Sequence, residues 1–367
     1  MQALILAGGE GTRLRPLTET IPKPVIPLVG RPFISFMIEW LRGHGVDDVV
    51  LACGFMADDV RAVLGDGGTL GVRLRYIEEP KPLGTGGALK FAEELLDERF
   101  LMLNGDVLTD IDVTAVIEQH ARTHATATLA LYPVDDPSAY GLVRLNDDRS
   151  VSEFLEKPSP EQIDTNLINA GAYVLERRVL DSMPPAGTNV SIERDVFPTL
   201  VGDGLYGYAA SGYWLDIGTP DRYLQATFDI LDGSVRTEIG GELATAGGVL
   251  SDGAAVDGEV VAPALIGRDA TIAADATIGP YAVIGARTSV AEGAIVSRGV
   301  VFSDAVVGEG STVTGSIVGA DVQIGRGCTI SDEAVIGAGA KIGAGHAVGA
   351  GARIVPGHVL GEEAIKS

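Results

Sequence analysis

Residues 4–25, LILAGGEGTRLRPLTETIPKPV, join an apolar run to three glycines within four positions, and then to basic residues and prolines. The apolar run predicts a strand, and the glycines predict a turn directly after it. Glycine lets backbone amides approach a ligand closely, because no Cβ stands in the way. Arginine and lysine add the positive charge that phosphates attract. We interpret this segment as a loop that binds a nucleoside triphosphate.

Two common phosphate-binding loops fit the segment poorly. A P-loop requires a Gly-Lys pair followed by serine or threonine, and no such pair follows Gly8. A dinucleotide-binding loop requires a third glycine at the position of Leu14, after Gly9 and Gly11. The segment therefore favours another kind of phosphate site.

Residues 1 to about 232 alternate between strand and helix patterns. Short apolar runs predict strands, and apolar residues spaced three and four apart predict helices. The predicted strands are residues 3–7, 49–54, 72–79 and 99–106, and the predicted helices are 32–45, 57–65 and 84–97. This alternation predicts a Rossmann-like, mostly parallel α/β sheet with helices on both faces and ligands at the carboxyl ends of its strands. We expect a catalytic domain over residues 1–235.

The remaining residues, 236–367, follow a different period. From Ile266 to Leu360 an aliphatic or aromatic residue recurs every six positions, with five-residue steps from Phe302 to Val307 and from Val313 to Val318. Neither a helix nor an alternating strand has period six, so this region is a repeat structure. It resembles the hexapeptide left-handed parallel β-helix, and that resemblance implies about six triangular coils.

Composition limits the possible partners. There are 27 Lys and Arg residues against 50 Asp and Glu, a formal net charge of −23, so nucleic acids and anionic membranes are unlikely partners. Cys53 and Cys328 match no zinc or redox spacing, and no apolar run approaches the ~18 residues of a membrane span. There is also no basic leader before the first strand. We expect a cytoplasmic protein.

The stretch from Leu6 to Pro24 matches the pattern LxGGxGTRLxPLTxxxPKP almost position for position. On this pattern, and on the later motifs LGTGG, NGD, YGLV, EKP, NAG and DIGTP, the chain resembles the sugar-1-phosphate nucleotidyltransferase family. The resemblance implies transfer of a nucleoside monophosphate from an NTP to a sugar 1-phosphate, with release of pyrophosphate. A phosphate monoester with a second pKa near ~6 is already a nucleophile at neutral pH, so no histidine base is required.

The resemblance also implies roles for particular residues. Arg13, Lys23 and Asp106 would be catalytic, and Asp106 and Asp216 would hold Mg²⁺. Sugar and sugar-phosphate contacts would come from Gly141, Glu156, Lys157 and Asn169. The nucleotide would be bound by Leu6, Ala7, Gly8, Gly9, Gly11, Thr12, Arg13, Gly84 and Thr85.

The base and the sugar are predicted from a smaller set of positions. Thymidylyl and related pyrimidine enzymes resemble one another in carrying a glutamine near the position of Gly87, which argues here against dTTP. LGTGG combined with a hexapeptide tail most resembles the guanylyltransferases that use GTP and mannose 1-phosphate. Glucose 1-phosphate, a cyclitol phosphate, or the ADP-, UDP- and dTDP-forming reactions remain alternatives, since relatives share the phosphate and metal motifs.

The tail raises two further alternatives. Hexapeptide repeats also build acyltransferases that use a histidine base, and the tail contains His346 and His358. We favour a structural role, in which the coils form a homo-oligomer. A catalytically inactive regulatory subunit is the non-enzymatic alternative, and the presence of Arg13, Lys23, Asp106 and Asp216 argues against it.

Overall fold

The computed structural model describes residues 1–349 and 351–361. Contacts group the chain into two compact units. One combines Met1–Glu10 with Ile34–Trp214, and the other combines Gly11–Phe33 with the chain from Leu215 onward. The predicted C-terminal domain extends to residue 367, and its residues 350 and 362–367 lie outside the described chain.

Thirteen strands precede the repeat region. In chain order they are β1 Gln2–Ala7, β2 Pro27–Leu28, β3 Arg31–Pro32, β4 Asp48–Cys53, β5 Arg73–Glu78, β6 Arg99–Asn104, β7 Val107–Thr109, β8 Ala127–Pro133, β9 Gly141–Leu145, β10 Val151–Glu156, β11 Leu167–Glu176, β12 Leu205–Ala209 and β13 Trp214–Asp216.

The α-helices are mostly short connections between strands. They are α1 Phe33–Gly43, α2 Ala57–Leu64, α3 Gly84–Phe91, α4 Val113–Thr123, α5 Phe197–Leu200, α6 Pro220–Leu231 and α7 Glu238–Thr245. Side chains cap two of them: Asp112 accepts a hydrogen bond from Ala115 N at the start of α4, and Thr237 accepts one from Gly240 N at the start of α7. None of the helices in the described ranges is long and apolar enough to span a membrane.

The first unit is built on a nine-stranded sheet with the order β10-β9-β11-β6-β1-β4-β5, to which β8 is added beside β11 and β12 beside β8. Strands β6, β1, β4 and β5 are mutually parallel, which confirms the predicted Rossmann-like sheet. The central residues of β1, β4 and β6 are buried on both faces, as expected of a parallel sheet covered by helices, whereas β5 is only partly buried. Strand β11 runs antiparallel to β6, β8 and β9, an arrangement that the strand and helix alternation did not predict.

The repeat region, in the second unit, forms three parallel sheets of very short strands, as in a left-handed β-helix. One sheet contains β14 Val249–Ser251, β17 Ala264–Ile266, β20 Ala282–Ile284, β23 Gly299–Val301, β26 Ile317–Val318, β29 Val335–Ile336 and β32 Arg353–Ile354. The next contains β15 Ala255–Val256, β18 Thr271–Ile272, β21 Ser289–Val290, β24 Val306–Val307, β27 Gln323–Ile324, β30 Lys341–Ile342 and β33 Val359–Leu360. The third contains β16 Glu259–Val260, β19 Thr277–Ile278, β22 Ile295–Ser297, β25 Thr312–Thr314, β28 Thr329–Ile330 and β31 Ala347–Val348.

The period of six is confirmed, with one correction. The interior column pairs Ile284 with Val301 and Val301 with Val318, so Val301 occupies the interior position that the sequence pattern gave to Phe302. The phenyl ring of Phe302 instead lies 6.4 Å from the ring of Tyr223. The pattern alone could not separate two adjacent apolar residues. The five-residue step therefore falls between Val296 and Val301.

Two different requirements explain the glycines and aspartates of the coils. A corner residue with positive φ recurs every six positions, for example at Asp269, Asp275 and Gly293, and aspartate tolerates this conformation better than most residues. A second group has no room for a side chain. A Cβ on Gly337 would lie 2.6 Å from Pro356 N in the next coil, so this glycine allows successive coils to approach closely.

Candidate active site

Three glycine-containing loops meet at the carboxyl edge of the parallel strands. Leu6 is paired with Asn104 and Ala7 with Cys53, so β1, β4 and β6 end side by side. Gly105 N donates a hydrogen bond of 2.9 Å to Leu6 O, and a Cβ on Gly105 would lie 2.5 Å from that oxygen. This contact places Asp106 directly beside the start of the glycine loop. The predicted residues Leu6, Ala7, Gly8 and Asp106 therefore share one edge of the sheet.

The LGTGG segment is held by the chain around Val190. Val190 O accepts hydrogen bonds from Gly86 N at 2.9 Å and Gly87 N at 3.1 Å. A Cβ on Gly84 or Gly87 would lie 2.5–2.6 Å from backbone oxygens of this strap, so these glycines permit close packing. Gly84 also has φ +73°. The close packing therefore accounts for glycine at position 87, whichever nucleotide base the protein binds.

Thr85 takes part in the same packing. Its hydroxyl donates to Glu193 Oε2 at 2.6 Å and accepts from Ile192 N at 2.9 Å. Ser191 Oγ also donates to Glu193 Oε2, at 2.7 Å. The hydroxyl of Thr85, a residue predicted to bind nucleotide, therefore ties the start of α3 to Ile192 and Glu193.

The antiparallel strands bring the predicted sugar-binding residues to the same edge. Gly141 begins β9 opposite Glu156 at the end of β10, and a Cβ on Gly141 would lie 2.9 Å from Glu156 Oε2. Lys157 follows, exposed, with φ +55°. Burial, and next the nearby charge of Glu193, raise the pKa of the Glu156 carboxyl.

Asn169 lies on β11 at this edge. Its Oδ1 accepts from Gly171 N at 3.0 Å, and its Nδ2 donates to Tyr173 Oη at 2.8 Å. Asn104, the last residue of β6, has a buried Oδ1 without a hydrogen-bond partner in the described chain. A buried acceptor of this kind is costly unless a ligand donates to it.

Three aromatic residues that the sequence reasoning missed lie near these strands. Trp214 Nε1 donates to Ala170 O at 2.8 Å, beside Asn169. The Trp214 ring stacks on Tyr132 at 5.8 Å and meets Tyr140 edge-on at 5.5 Å. The three rings therefore pack on one another beside the predicted sugar-binding residue Asn169. The only sequence sign was a tryptophan two residues before Asp216.

The second unit contains the basic part of the loop. Gly11, at φ +61°, accepts hydrogen bonds from Leu14 N and Thr18 Oγ1, both at 2.9 Å. A Cβ on Gly11 would lie 3.2 Å from Lys23 Cβ, so the segment folds back and places Lys23 against its own beginning. Three short turns of 3₁₀ helix, Thr12–Leu14, Leu17–Glu19 and Lys23–Val25, produce this path.

Arg13 lies beside the DIGTP motif of the same unit. A Cβ on Gly218 would lie 2.5 Å from Arg13 Nη2, so the guanidinium rests on the backbone of that motif. Asp216 is largely buried, with its side chain 18% exposed, and it forms a salt bridge with Arg222. The sequence placed Arg13 and Asp216 some 200 residues apart, and the fold places both at one turn.

Within residues 1–349 and 351–361, no group of three or more His, Cys, Asp or Glu side chains is arranged to hold a metal. Mg²⁺ requires fewer protein ligands when a nucleotide is present, because one or two carboxylates and substrate phosphates complete its shell. Asp106 and Asp216 are carboxylates of the type that Mg²⁺ prefers, and the unpartnered Asn104 Oδ1 belongs to the strand that precedes Asp106. Each of these side chains, taken by itself, offers oxygen atoms of the kind that a divalent cation binds.

Comparison with known proteins agrees with this arrangement. Residues 2–233 match the nucleotidyl transferase family model, and residues 260–367 match the GMPPB C-terminal domain model. The chain is 38% identical over 281 residues to mannose-1-phosphate guanylyltransferase of Mycobacterium tuberculosis, covering 74% of this chain and 76% of that protein. It is 37% identical to probable mannose-1-phosphate guanylyltransferase 1 of Oryza sativa, covering 84% of this chain and 86% of that protein.

A solved structure shows the same similarity in three dimensions. HddC from Yersinia pseudotuberculosis complexed with GMP-PN aligns with a TM-score of 0.52 and 30% identity, covering 62% of this chain and 97% of that one. The family model alone spans more than half of the residues, from the first strand to the end of α6. The predicted family is therefore confirmed: this chain belongs to the nucleotidyl transferase family.

Proposed function

We propose that this enzyme transfers a guanylyl group from GTP to mannose 1-phosphate, forming GDP-mannose and pyrophosphate. The observation that carries the proposal is the similarity, over about three quarters or more of the chain, to bacterial and plant proteins named mannose-1-phosphate guanylyltransferase. The motif set from Leu6 to Asp216 supports the reaction type, since it contains the glycines, basic residues and carboxylates that phosphoryl transfer uses.

The proposed reaction needs positioning and charge neutralisation. An oxygen of the sugar phosphate attacks the α-phosphorus of the NTP, and the bond from that phosphorus to the bridging α–β oxygen breaks, releasing pyrophosphate. The bare amides of Gly8, Gly9 and Gly11 would bind phosphate oxygens. Arg13 would contact two oxygens through its planar guanidinium, and Lys23 would stabilise charge on the leaving pyrophosphate.

A divalent cation, proposed to be Mg²⁺, would be held by Asp106 and Asp216 and would neutralise phosphate charge. On the sugar side, Glu156 would accept hydrogen bonds from sugar hydroxyls. Asn169 would also form hydrogen bonds with sugar hydroxyls, and the Gly141 backbone would lie beside them. Lys157, exposed at the end of β10, would bind the sugar phosphate. We assign this chemistry to residues 1–235 and a structural role to residues 236–367.

The direct test is pyrophosphate release with Mg²⁺ across GTP, ATP, UTP, CTP and dTTP, each paired with mannose, glucose, galactose and N-acetylglucosamine 1-phosphates. Dominant activity with GTP and mannose 1-phosphate is the expected result. A UTP and glucose 1-phosphate maximum would favour the second candidate, since the chain is also 36% identical to UTP--glucose-1-phosphate uridylyltransferase of Synechocystis, over 64% of its length. No activity from folded protein would favour a regulatory binding subunit.

We also propose that the protein acts in the cytoplasm and associates through its coils. Both cysteines are buried and unpaired, which suits a reducing compartment. Val355 and Val359, in the last described coil, are 52% and 63% exposed. Burying these apolar side chains against another copy of the chain would be favourable. Light scattering of the full chain should give a multiple of the monomer mass, and Val359→Glu should reduce it. A monomeric full-length protein would contradict this.

A further inference from the structure

A short hairpin follows Lys23 in the chain and belongs, like Lys23, to the second unit. Its strands β2 and β3 pair with each other, and a two-residue turn of Val29 and Gly30 joins them. Both residues have positive φ, +46° for Val29 and +76° for Gly30. Glycine is favoured in such a turn, whereas a β-branched residue rarely adopts this conformation. Because the Val29 side chain is fully buried, its packing and not its backbone preference explains a valine at this position.

The turn of the hairpin lies against the first coils. A Cβ on Gly30 would lie 3.6 Å from Leu265 Cδ2, in β17. Leu265 precedes the interior residue Ile266, so its side chain points to the outside of the coil, yet it is only 9% exposed. Val29, Gly30 and Leu265 also line a cavity of about 500 Å³ beside α7. Because this cavity limits the packing around the turn, the hairpin depends on a few side chains for its position.

A second set of contacts ties the start of the hairpin to the coils through α6. The Tyr223 hydroxyl donates a hydrogen bond to Pro27 O, and the Tyr223 ring lies 6.4 Å from the ring of Phe302. Tyr223 and Phe302 are both buried, at 1% and 3% exposure. This contact accounts for the departure of Phe302 from the period of six, since its side chain packs against α6 and not inside the coil.

The segment between the hairpin and Lys23 is stiff. Four of the residues from 22 to 32 are proline, and proline fixes φ. Phe33 N donates to Ile26 O at 2.9 Å, and Ile26 N donates to Lys23 O at 3.3 Å, so hydrogen bonds connect the base of the hairpin to Lys23. A displacement of the hairpin would therefore also displace the backbone of Lys23.

We propose that Leu265 and Tyr223 are positioning residues for the reaction, because they hold the hairpin that sets the reach of Lys23. This inference rests on the proposed role of Lys23 in stabilising charge on the leaving pyrophosphate. That charge develops in the transition state, so a misplaced Lys23 lowers kcat more than it raises KM. The first coils thereby contribute to turnover without touching a substrate.

The test measures steady-state pyrophosphate release at 25 °C with the substrate pair that the wild type prefers. Leu265→Ala should lower kcat by about tenfold, because a small displacement of a catalytic group is costly, while KM for both substrates changes less. Leu265→Met keeps the length of the side chain and should retain the wild-type kcat. Tyr223→Phe removes only the hydroxyl that binds Pro27 O and should lower kcat by about threefold.

The Lys23→Ala background shows whether Leu265 acts through Lys23. In that background, adding Leu265→Ala should change kcat by less than about twofold, because the group that it displaces is already absent. The matched control is Ile336→Ala, which truncates a fully buried side chain inside the coils and should leave kcat unchanged. Circular dichroism checks that each variant folds.

Folded Leu265→Ala with the wild-type kcat overturns the inference, and Tyr223→Phe with the wild-type kcat does so if Leu265→Ala fails to fold. An equal loss of kcat from Leu265→Ala with and without Lys23 also overturns it. So does a loss in Ile336→Ala as large as that in Leu265→Ala, which would reflect general destabilisation of the coils. Absence of pyrophosphate release by the folded wild type with every NTP would instead refute the proposed function.

Discussion

The nine-stranded sheet and the coil stack both contain parallel strands with buried aliphatic side chains, yet among these two regions the predicted substrate-binding residues lie only at the edge of the sheet. Its parallel strands are six residues long and end in register at one edge, where the loops after β1, β4, β5 and β6 meet. The coil strands have two or three residues and continue directly into tight corners. The proposed site therefore lies where several of the longer parallel strands end together.

Glycine illustrates the same difference. Gly8 and Gly105 lie where loops cross at the sheet edge, with Glu79 and Leu6 as their neighbours. Gly337 lies against the next coil, and the same contact type recurs along the stack. The physical requirement is the absence of a Cβ in both regions. The consequence differs, because the glycines at the sheet edge let loops cross beside the proposed site, whereas the glycines of the coils let successive repeats stack closely.

The largest expected effect is the loss of an acid at the sheet edge. Asp106→Ala should lower kcat for pyrophosphate release by roughly a hundredfold to a thousandfold. The variant would lose a proposed ligand of the cation that neutralises charge on the phosphates. Asp257→Ala removes an exposed acid from the coils and should leave kcat unchanged. Circular dichroism checks that both variants fold. Equal kcat values for the two variants would remove Asp106 from the mechanism.

Core truncations should separate stability from activity. Leu129→Ala in β8 and Ile336→Ala in β29 each remove a side chain that is 0% exposed, and each should lower the free energy of unfolding by about 2–4 kcal/mol. Urea denaturation measures this loss. Ile336→Ala should keep the wild-type kcat at 25 °C, because no proposed substrate contact lies in the coils. A reduced kcat in that variant would mean that the coils contribute to catalysis.

A smaller effect is expected at Glu156, with opposite signs for stability and activity. Burial raises the pKa of its carboxyl in the folded state, so the native protein binds this proton more tightly than the unfolded chain does. The contribution to stability is therefore greatest at acid pH and is lost as pH rises through the folded pKa.

Glu156→Gln should consequently be more stable than the wild type at pH 7, and the difference should shrink towards pH 4. Its KM for the sugar phosphate should rise, because a proposed hydroxyl acceptor is weakened. Thermal unfolding at the two pH values and steady-state kinetics provide the measurements. A variant that is less stable than the wild type at pH 7 would contradict the assigned cost of burial.

The smallest effect is expected on the coil surface. Arg287 Nε and Nη2 donate to the two oxygens of Asp304 at 2.6 and 2.5 Å, and this hydrogen bonding lowers the pKa of Asp304. Because the folded pKa is lowered, any stability gained is present at neutral pH and is lost as pH falls through it. Asp304→Asn should reduce the unfolding midpoint only slightly, because exposed ion pairs contribute little. A large decrease at pH 7 that persisted in acid would contradict the ion-pair explanation.

Much of the fold follows from local patterns. Predicted strands at residues 3–7, 49–54 and 99–106 correspond to β1, β4 and β6, because continuous apolar runs next to glycine turns are typical of buried parallel strands. The period of six predicted the coils, since each coil repeats the same burial requirement. The exception at Phe302 arose where two adjacent residues were both apolar, and only the register of β23 with its neighbours distinguishes them.

The sequence by itself determined the family, the glycine loop with its arginines and lysine, and the repeat, because each is encoded by residues close together in the chain. The tertiary structure alone decided which distant residues share an edge. Pairing of β9, β10 and β11 brings Gly141, Glu156 and Asn169 together, and β5 beside β4 places Glu79 against Gly8. Such contacts depend on strand order and register, which are selected by the packing of the whole core and not by local sequence.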